Sequence, residues 1–380
     1  MTWILMLLFW LAALAVAWTY LGYPLFIRQL ARWRPRPHKQ APIQPTITLI
    51  VPGLNEEAVI AEKIENLLAL DYPTALREII VIADGSTDRT VAIAQAYAEQ
   101  GIKLLFQPER RGKIAAMNRA APEAQGEILI FSDANTFMEP GSVRTLVRNF
   151  ADPQVACVSG EKRIRPAAQV QAQGESAYWR YESALKQADS LVSTAIGALG
   201  EFFAIRRTLY RPLEEDSIIE DFVLSMRLVM EGWRVVYEPG AVTWEDATPS
   251  LRGEWTRRAR NAAGGFQAIG RLRGLLSPRY GLIAFQYVSH KVLRWLAPLF
   301  MLTALGTAAA LSSWPFYRLC FWLQLGFYTF AGLGGLLEAI GVRSKWLRLP
   351  FYFCFTNASA LGGLIRYLQR KQTVLWAKVR

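Results

Sequence analysis

Carboxylate and amide side chains recur in this chain in short clusters, each placed directly after an apolar run. Asn55, Glu56 and Glu57 follow the run that ends at Pro52, Asp84 and Asp88 follow a second, and Asp133 and Asn135 follow a later one. Glu220-Asp221 opens a stretch with helical spacing of apolar residues. Side-chain oxygens in such clusters can bind a hard cation or take a proton from a hydroxyl. The alternatives lack their parts. The chain has two histidines, His38 and His290, and three cysteines, Cys157, Cys320 and Cys354, with no CxxC pair. A Ser-His-Asp triad, a His-ligated metal, a Cys-type zinc site and a disulfide framework are all disfavoured. Catalysis on this chain runs on carboxylates, Lys/Arg and a hard cation.

The elements that must position these groups can be read from periodicity. Residues 46–52, 78–83, 102–106 and 127–132 are short β-branched or apolar runs. Between them, residues 56–70, 88–100 and 112–124 have helical spacing. Strands alternating with helices of this length predict βαβ units and a parallel sheet. Ligands of such sheets bind beyond the carboxyl ends of the strands, where the acidic clusters fall. Asp88 reads as a helix N-cap and Asp84 as a ligand-facing group. Glu214, Glu215 and Asp216 read as a solvated acidic loop. Asp221, in a first helical turn, is expected to have a lowered pKa. Neither GxGxxG nor GxxxxGK[ST] is present, which disfavours a dinucleotide-binding domain and a P-loop ATPase.

The chain has 380 residues, is 52% hydrophobic and carries a formal net charge of +12. Residues 1–27 contain no charged side chain and predict an uncleaved transmembrane anchor. The basic juxtamembrane linker 28–45, with Arg28, Arg32, Arg34, Arg36 and Lys39, places that flank in the cytoplasm by the positive-inside rule. Residues 46–277 have the composition of a soluble enzyme. Residues 278–294 read as an interfacial amphipathic helix. Residues 295–368 hold two or three spans: 295–317 and 319–337 form a hairpin, and 349–365, with Pro350, Asn357, Gly362 and Gly363, is either a third span or a re-entrant element. Two spans leave the basic tail 369–380 inside, three put it outside. The positive excess lies largely beside the spans, and no nucleic-acid motif accompanies it. The partner called for is a lipid bilayer, not nucleic acid.

Taken in order, VPGLNEE, ADGSTDRT, RGKIAAMNRA, FSDAN, IIEDF and RRARN resemble a membrane-bound family 2 glycosyltransferase related to the polysaccharide synthase subgroup. The resemblance covers about residues 46–261. It implies an α/β, Rossmann-like nucleotide-sugar-binding domain of GT-A fold flanked by transmembrane helices, at the cell (inner) membrane, multi-pass, with the catalytic domain cytoplasmic. The implied reaction is inverting transfer from a nucleotide-diphosphate sugar, a UDP-sugar by resemblance, to a lipid or glycan acceptor. Mg²⁺ or Mn²⁺ is the implied cofactor, held by Asp133 and Asn135. Pro52, Asn55, Glu56, Asp84, Lys113, Asp133, Arg258 and Arg260 match positions that bind the nucleotide sugar. Gly200, Glu201 and Phe202 match the acceptor strand. Asp221, with Glu220 beside it, matches the general base. The chain departs from the pattern at Ala83, where an acidic residue is usual, at Asn135, where relatives have a second carboxylate, and at Asn261, where processive synthases have Trp. Two alternatives stay open: a processive polysaccharide synthase, and a non-catalytic subunit on a degenerate transferase fold.

Overall fold

The computed structural model describes residues 2–166, 170–248, 250–339, 345–371 and 374–375. The α/β domain is built on one eight-stranded sheet among the described residues. Its strands are β1 (Ile47–Gly53), β2 (Arg77–Asp84), β3 (Ile102–Gln107), β4 (Ile128–Ser132), β5 (Phe137–Met138), β6 (Val155–Ile164), β7 (Phe202–Arg206) and β8 (Arg234–Glu245). They lie in the order β3-β2-β1-β4-β7-β6-β8-β5. The first four strands in sequence run parallel, as their βαβ spacing requires. β7 enters antiparallel to both β4 and β6, so the sheet is mixed rather than wholly parallel.

Both faces of the sheet are covered. In β1, Leu49 and Val51 pack on one face with Ile79, Val81 and Ile64, while Ile50 packs on the other with Ile80, Ile82 and Phe131. That alternation is the period of two expected of a strand. Helices Ile60–Leu68 and Ser142–Val147 cover the first face, and Lys113–Ala120 and Glu220–Met230 the second. Each fully buried Ile, Leu or Phe here contributes about 1.5–3 kcal/mol. With both faces apolar, polar chemistry is left to the strand ends.

Among the described residues, three helices are long and apolar enough to cross a membrane: Thr2–Trp33, Leu282–Ala310 and Pro315–Glu338. The first two have 32 and 29 residues. At about 1.5 Å per residue each exceeds a hydrocarbon core of roughly 30 Å, so one end of each reaches the α/β domain. Both contain a π-helical turn, Trp18–Gly22 and Val288–Val292, and the two turns meet where Trp18 Nε1 donates to Ser289 Oγ at 3.1 Å. The segment 278–294 is therefore not a separate interfacial helix. From Leu282 onward it continues without a break into the second span.

The last apolar run forms the helix Lys345–Leu368, which is not among the three candidate spans. It lies along the helix Leu251–Arg271. A Cβ at Gly363 would come within 2.5 Å of the Ala259 carbonyl oxygen, so the two backbones touch there. Trp255 meets Phe355 at 5.7 Å and Phe266 stacks on Tyr367 at 6.2 Å. The linker after the first span is fixed by Arg234, which donates to the carbonyls of Pro37 at 3.2 Å and Ser190 at 2.8 Å.

Candidate active site

The ends of β1, β2 and β4 open on a cavity of about 830 Å³. Pro52 and Glu56 reach it from the end of β1, Asp84 from β2, and Asp133 and Asn135 from the loop after β4. Lys113 comes from the first turn of its helix, Glu220 and Asp221 from the first turn of theirs, and Arg258 and Arg260 from Leu251–Arg271. Gly200 and Glu201 complete the wall just before β7. At the far end the lining passes to the first two candidate spans, through Tyr20 and Trp295, and to Lys345–Leu368, through Asn357.

Lys113 links the two halves of the rim. Its ammonium lies 2.7 Å from Asp133 Oδ1 and 2.9 Å from Glu220 Oε1, and donates to the Gly200 carbonyl at 3.1 Å. Burial works against its charge, yet Asp133 and Glu220 hold its pKa above the usual lysine value. Burial raises the Asp133 pKa, and Lys113 opposes that rise. Below Asp133, the buried Lys63 donates to Ser132 Oγ at 2.7 Å and Thr136 O at 2.6 Å, and burial pushes its pKa down to about 7.

Asp221 departs from the expectation for a helix N-terminus. Burial, and next the charge of Glu220, push its carboxyl up to about 7. Desolvation and a like charge outweigh the helix dipole, whose effect is typically 0.3–1 kcal/mol against about 1.4 kcal/mol per pKa unit. The carboxylate lies against Gly200: a Cβ there would sit 3.1 Å from Asp221 Oδ2.

Other expected residues sort by where their side chains go. Asp84 accepts from the backbone N–H groups of Gly112 at 2.6 Å and Arg111 at 3.1 Å, so it holds the loop before Lys113 as well as facing the cavity. Asp88 lies one residue before the N-cap position, which Arg89 occupies; it accepts from Thr90 N at 2.9 Å and from Glu57 N at 3.1 Å, tying the turn after β2 to the loop after β1. Asn55 is not among the lining residues. It adopts φ 54° and accepts from Thr87 N at 2.8 Å, pinning the β2 turn to the β1 loop. Phe202 is likewise outside the lining; it is fully buried in the core on the sheet. Arg258 pairs with Glu254 at 2.5 Å and lies over the Tyr178 ring at 4.5 Å. Arg260 donates to the Ile218 carbonyl at 3.1 Å, in the field of Glu220, Asp221 and Asp133.

The Glycosyl transferase family 2 profile matches residues 48–213, the stretch that carries β1 to β7 and most of this rim. This chain carries a family 2 glycosyl transferase domain. Poly-beta-1,6-N-acetyl-D-glucosamine synthase of Staphylococcus aureus (strain COL) is 28% identical over 229 residues, 59% of this chain and 55% of that protein. The Staphylococcus epidermidis synthase of the same name is 26% identical over the same shares. The chain thus spans about half the length of the curated relatives it matches. A mannosyltransferase, PcManGT from Pyrobaculum calidifontis, solved in complex with GDP-Man and Mn²⁺, superposes with a TM-score of 0.74 at 26% identity, over 96% of this chain and 100% of that one.

The transferase domain also uses residues that sequence reasoning missed. Lys162, on β6 and buried, lies 2.7 Å from Glu201, also pairs with Glu245, and sits 4.7 Å from the Trp179 ring centroid. Glu245 Oε1 in turn accepts from Asn135 Nδ2 at 2.6 Å. Lys162 holds the Glu201 pKa below the usual carboxylate value against the effect of burial. A charged residue in an otherwise buried strand was the available signal for Lys162. Its partners, separated widely in sequence, gave none.

Proposed function

We propose that the protein is an inverting glycosyltransferase that moves a sugar from a nucleotide-diphosphate sugar to a hydroxyl acceptor at the cytoplasmic face of a membrane. The placement of Asp221 carries this reading. A carboxylate with a pKa near 7 faces the same cavity as the Lys113–Asp133 pair, which marks the donor end. General bases work best with a pKa near the operating pH. Asp221 takes the proton of the acceptor hydroxyl, and the acceptor oxygen attacks the anomeric carbon from the face opposite the diphosphate. The bond from that carbon to the diphosphate oxygen breaks, and the nucleoside diphosphate leaves with the electron pair. Lys113 and Arg260 bring positive charge to the departing group.

Asp133 and Asn135 suit a divalent cation. Among the described residues no group of three His, Cys, Asp or Glu side chains forms a metal cage. The donor set is instead one carboxylate and one amide, whose Nδ2 is committed to Glu245, leaving Oδ1 as the ligand atom. One or two protein oxygens completed by substrate phosphates are the usual environment of Mg²⁺. The Mn²⁺ in the Pyrobaculum complex supports the same class. Bound there, the cation would supply Lewis-acid stabilisation of the diphosphate.

UDP-sugars are the donors we favour, and GDP-sugars are added by the Pyrobaculum complex. The test is a screen of purified protein for metal-dependent UDP or GDP release, with membrane lipids as acceptors. Asp221→Asn is expected to lower transfer by about 10²–10⁴-fold. No release from any donor, or an unchanged Asp221→Asn rate, would overturn the reading. The named activity of the staphylococcal relatives favours a second reading, processive polymer synthesis. A long ladder of products from the purified protein would select it.

A further inference from the structure

The membrane end of the cavity holds more positive charge than its carboxylates balance. Lys186, Lys291 and Arg294 all line it, and Glu182 is the carboxylate they share. Lys291 and Arg294 each pair with Glu182 at 2.5 Å, and His290 Nε2 lies 3.2 Å from the same group. Arg294 spends one nitrogen there. Its Nε and Nη2 are buried with no acceptor in good hydrogen-bond geometry, and the guanidinium lies 5.3 Å from the Tyr181 ring centroid and interacts with the Tyr181 hydroxyl.

Lys186 is the less balanced of the two. It is 5% exposed, and its hydrogen bond is a long one, 3.4 Å to the Ala198 carbonyl. Among the described residues no carboxylate lies within 4 Å of its ammonium; burial and then the charge of Lys291 lower its pKa, and Glu182, Asp221 and Glu201 oppose that from farther away, so an anion placed beside it is what would hold it protonated. Burying a charge with no close counter-charge costs several kcal/mol. A fold keeps such a group where a ligand supplies the missing charge. The surroundings narrow that ligand. Tyr20 from the first span, Trp295 from the second and Asn357 from Lys345–Leu368 wall this end, and Tyr20 is fixed there by donating to Asn357 Oδ1 at 2.9 Å. Lys291 and Arg294 lie on the second candidate span, where charged groups mark functional sites, and Lys186 faces them from the helix Val170–Val192.

We propose that Lys186 and Arg294 form an anion subsite for the acceptor, which carries a phosphate next to the hydroxyl presented to Asp221. This rests on the reading of Asp221 as the base. The phosphate comes from a lipid headgroup or from a soluble phosphorylated polyol. Its oxygens accept from the Lys186 ammonium and from Arg294 Nε and Nη2, as charge-assisted bonds favour.

The test needs no donor and no turnover, so it stands apart from the Asp221→Asn assay. The full chain in neutral detergent is titrated with dihexanoyl phosphatidylglycerol, with the phosphate-free dihexanoylglycerol, and with glycerol 1-phosphate. The shift in melting temperature gives each affinity. Phosphatidylglycerol is expected to bind at least about tenfold more tightly than dihexanoylglycerol, and Lys186→Met and Arg294→Met each to weaken it about tenfold. Lys186→Arg is expected to retain most of the affinity. Glycerol 1-phosphate binding as tightly as the lipid assigns a soluble source, and weaker binding assigns a lipid. Without ligand, Lys186→Met is expected to melt no lower than wild type, because it removes a buried charge. Equal affinity with and without phosphate, or full affinity in both Met variants, overturns the proposal. So does a Lys186→Met protein that melts lower while binding normally, since the lysine would then be structural.

Discussion

Asp221 illustrates how neighbours set the chemistry of a single side chain. With a pKa near 7, its base form is present above neutral pH and lost below it. The acid limb of kcat/KM is therefore expected to fall as pH drops through about 7. Glu220 is one cause of the raised value, so Glu220→Gln is expected to move that limb to lower pH; a limb that stays in place would remove Glu220 from the account. The same shift has a cost in stability. A carboxyl whose folded pKa exceeds its unfolded value binds more protons when folded, so stability falls as pH rises from about 4 to about 7. Asp221→Asn removes that penalty. Calorimetry at pH 8 is expected to show the variant more stable than the wild type, by up to about 4 kcal/mol. Asp221 was legible in the sequence as a candidate base, but its ionisation was not. The dipole of its own helix is local, whereas burial and the approach of Glu220 arise from packing.

The elements decide which arginines can act and how rigidly. Leu251–Arg271 carries Arg258 and Arg260, and it is braced by Lys345–Leu368 through contacts that leave no room for a side chain at Gly363. Gly363→Leu is expected to cost about 1–3 kcal/mol by overpacking and to lower kcat by displacing the arginine helix. Gly306→Leu, on a span with nothing within 4 Å of the added atom, is the matched control and is expected to change neither. Equal effects in the two variants would show that the brace is not needed. The βαβ units and the strand-end rim could be anticipated because period and spacing are properties of a short segment. The antiparallel entry of β7 could not, since it depends on which edge the chain finds after the long helix Val170–Val192.

For the whole molecule, the fate of the last apolar run fixes the orientation of everything after it. If the three candidate helices all span, the turn between Ala310 and Pro315 is expected outside and the chain is expected to return to the cytoplasm, where Lys345–Leu368 packs along Leu251–Arg271. Arg366, Arg370 and Lys371 then lie on the same side as Arg28 and Arg32, as the positive-inside rule requires. Single cysteines replacing Ser312 and Lys371 provide the measurement. Ser312→Cys is expected to react with an impermeant maleimide in intact cells, and Lys371→Cys only after permeabilisation. Labelling of Lys371→Cys from outside would restore a fourth span.

Sequence by itself determined the parallel half of the sheet, the acidic rim and the candidate N-terminal span. Each of these is written in local patterns of apolar period, strand-end residues or charge-free length. Only the tertiary structure decided the rest. Hydropathy alone cannot separate a helix that faces lipid from one that lies along a protein surface, so the run 349–365 stayed ambiguous until its glycines were seen against Ala259 and Trp255. Side-chain type alone cannot tell Asn55 and Phe202, which hold the scaffold, from Lys113, Lys162 and Lys186, which bring charge to the site. Burial and the distance to an opposite charge make that distinction, and both are properties of the folded chain.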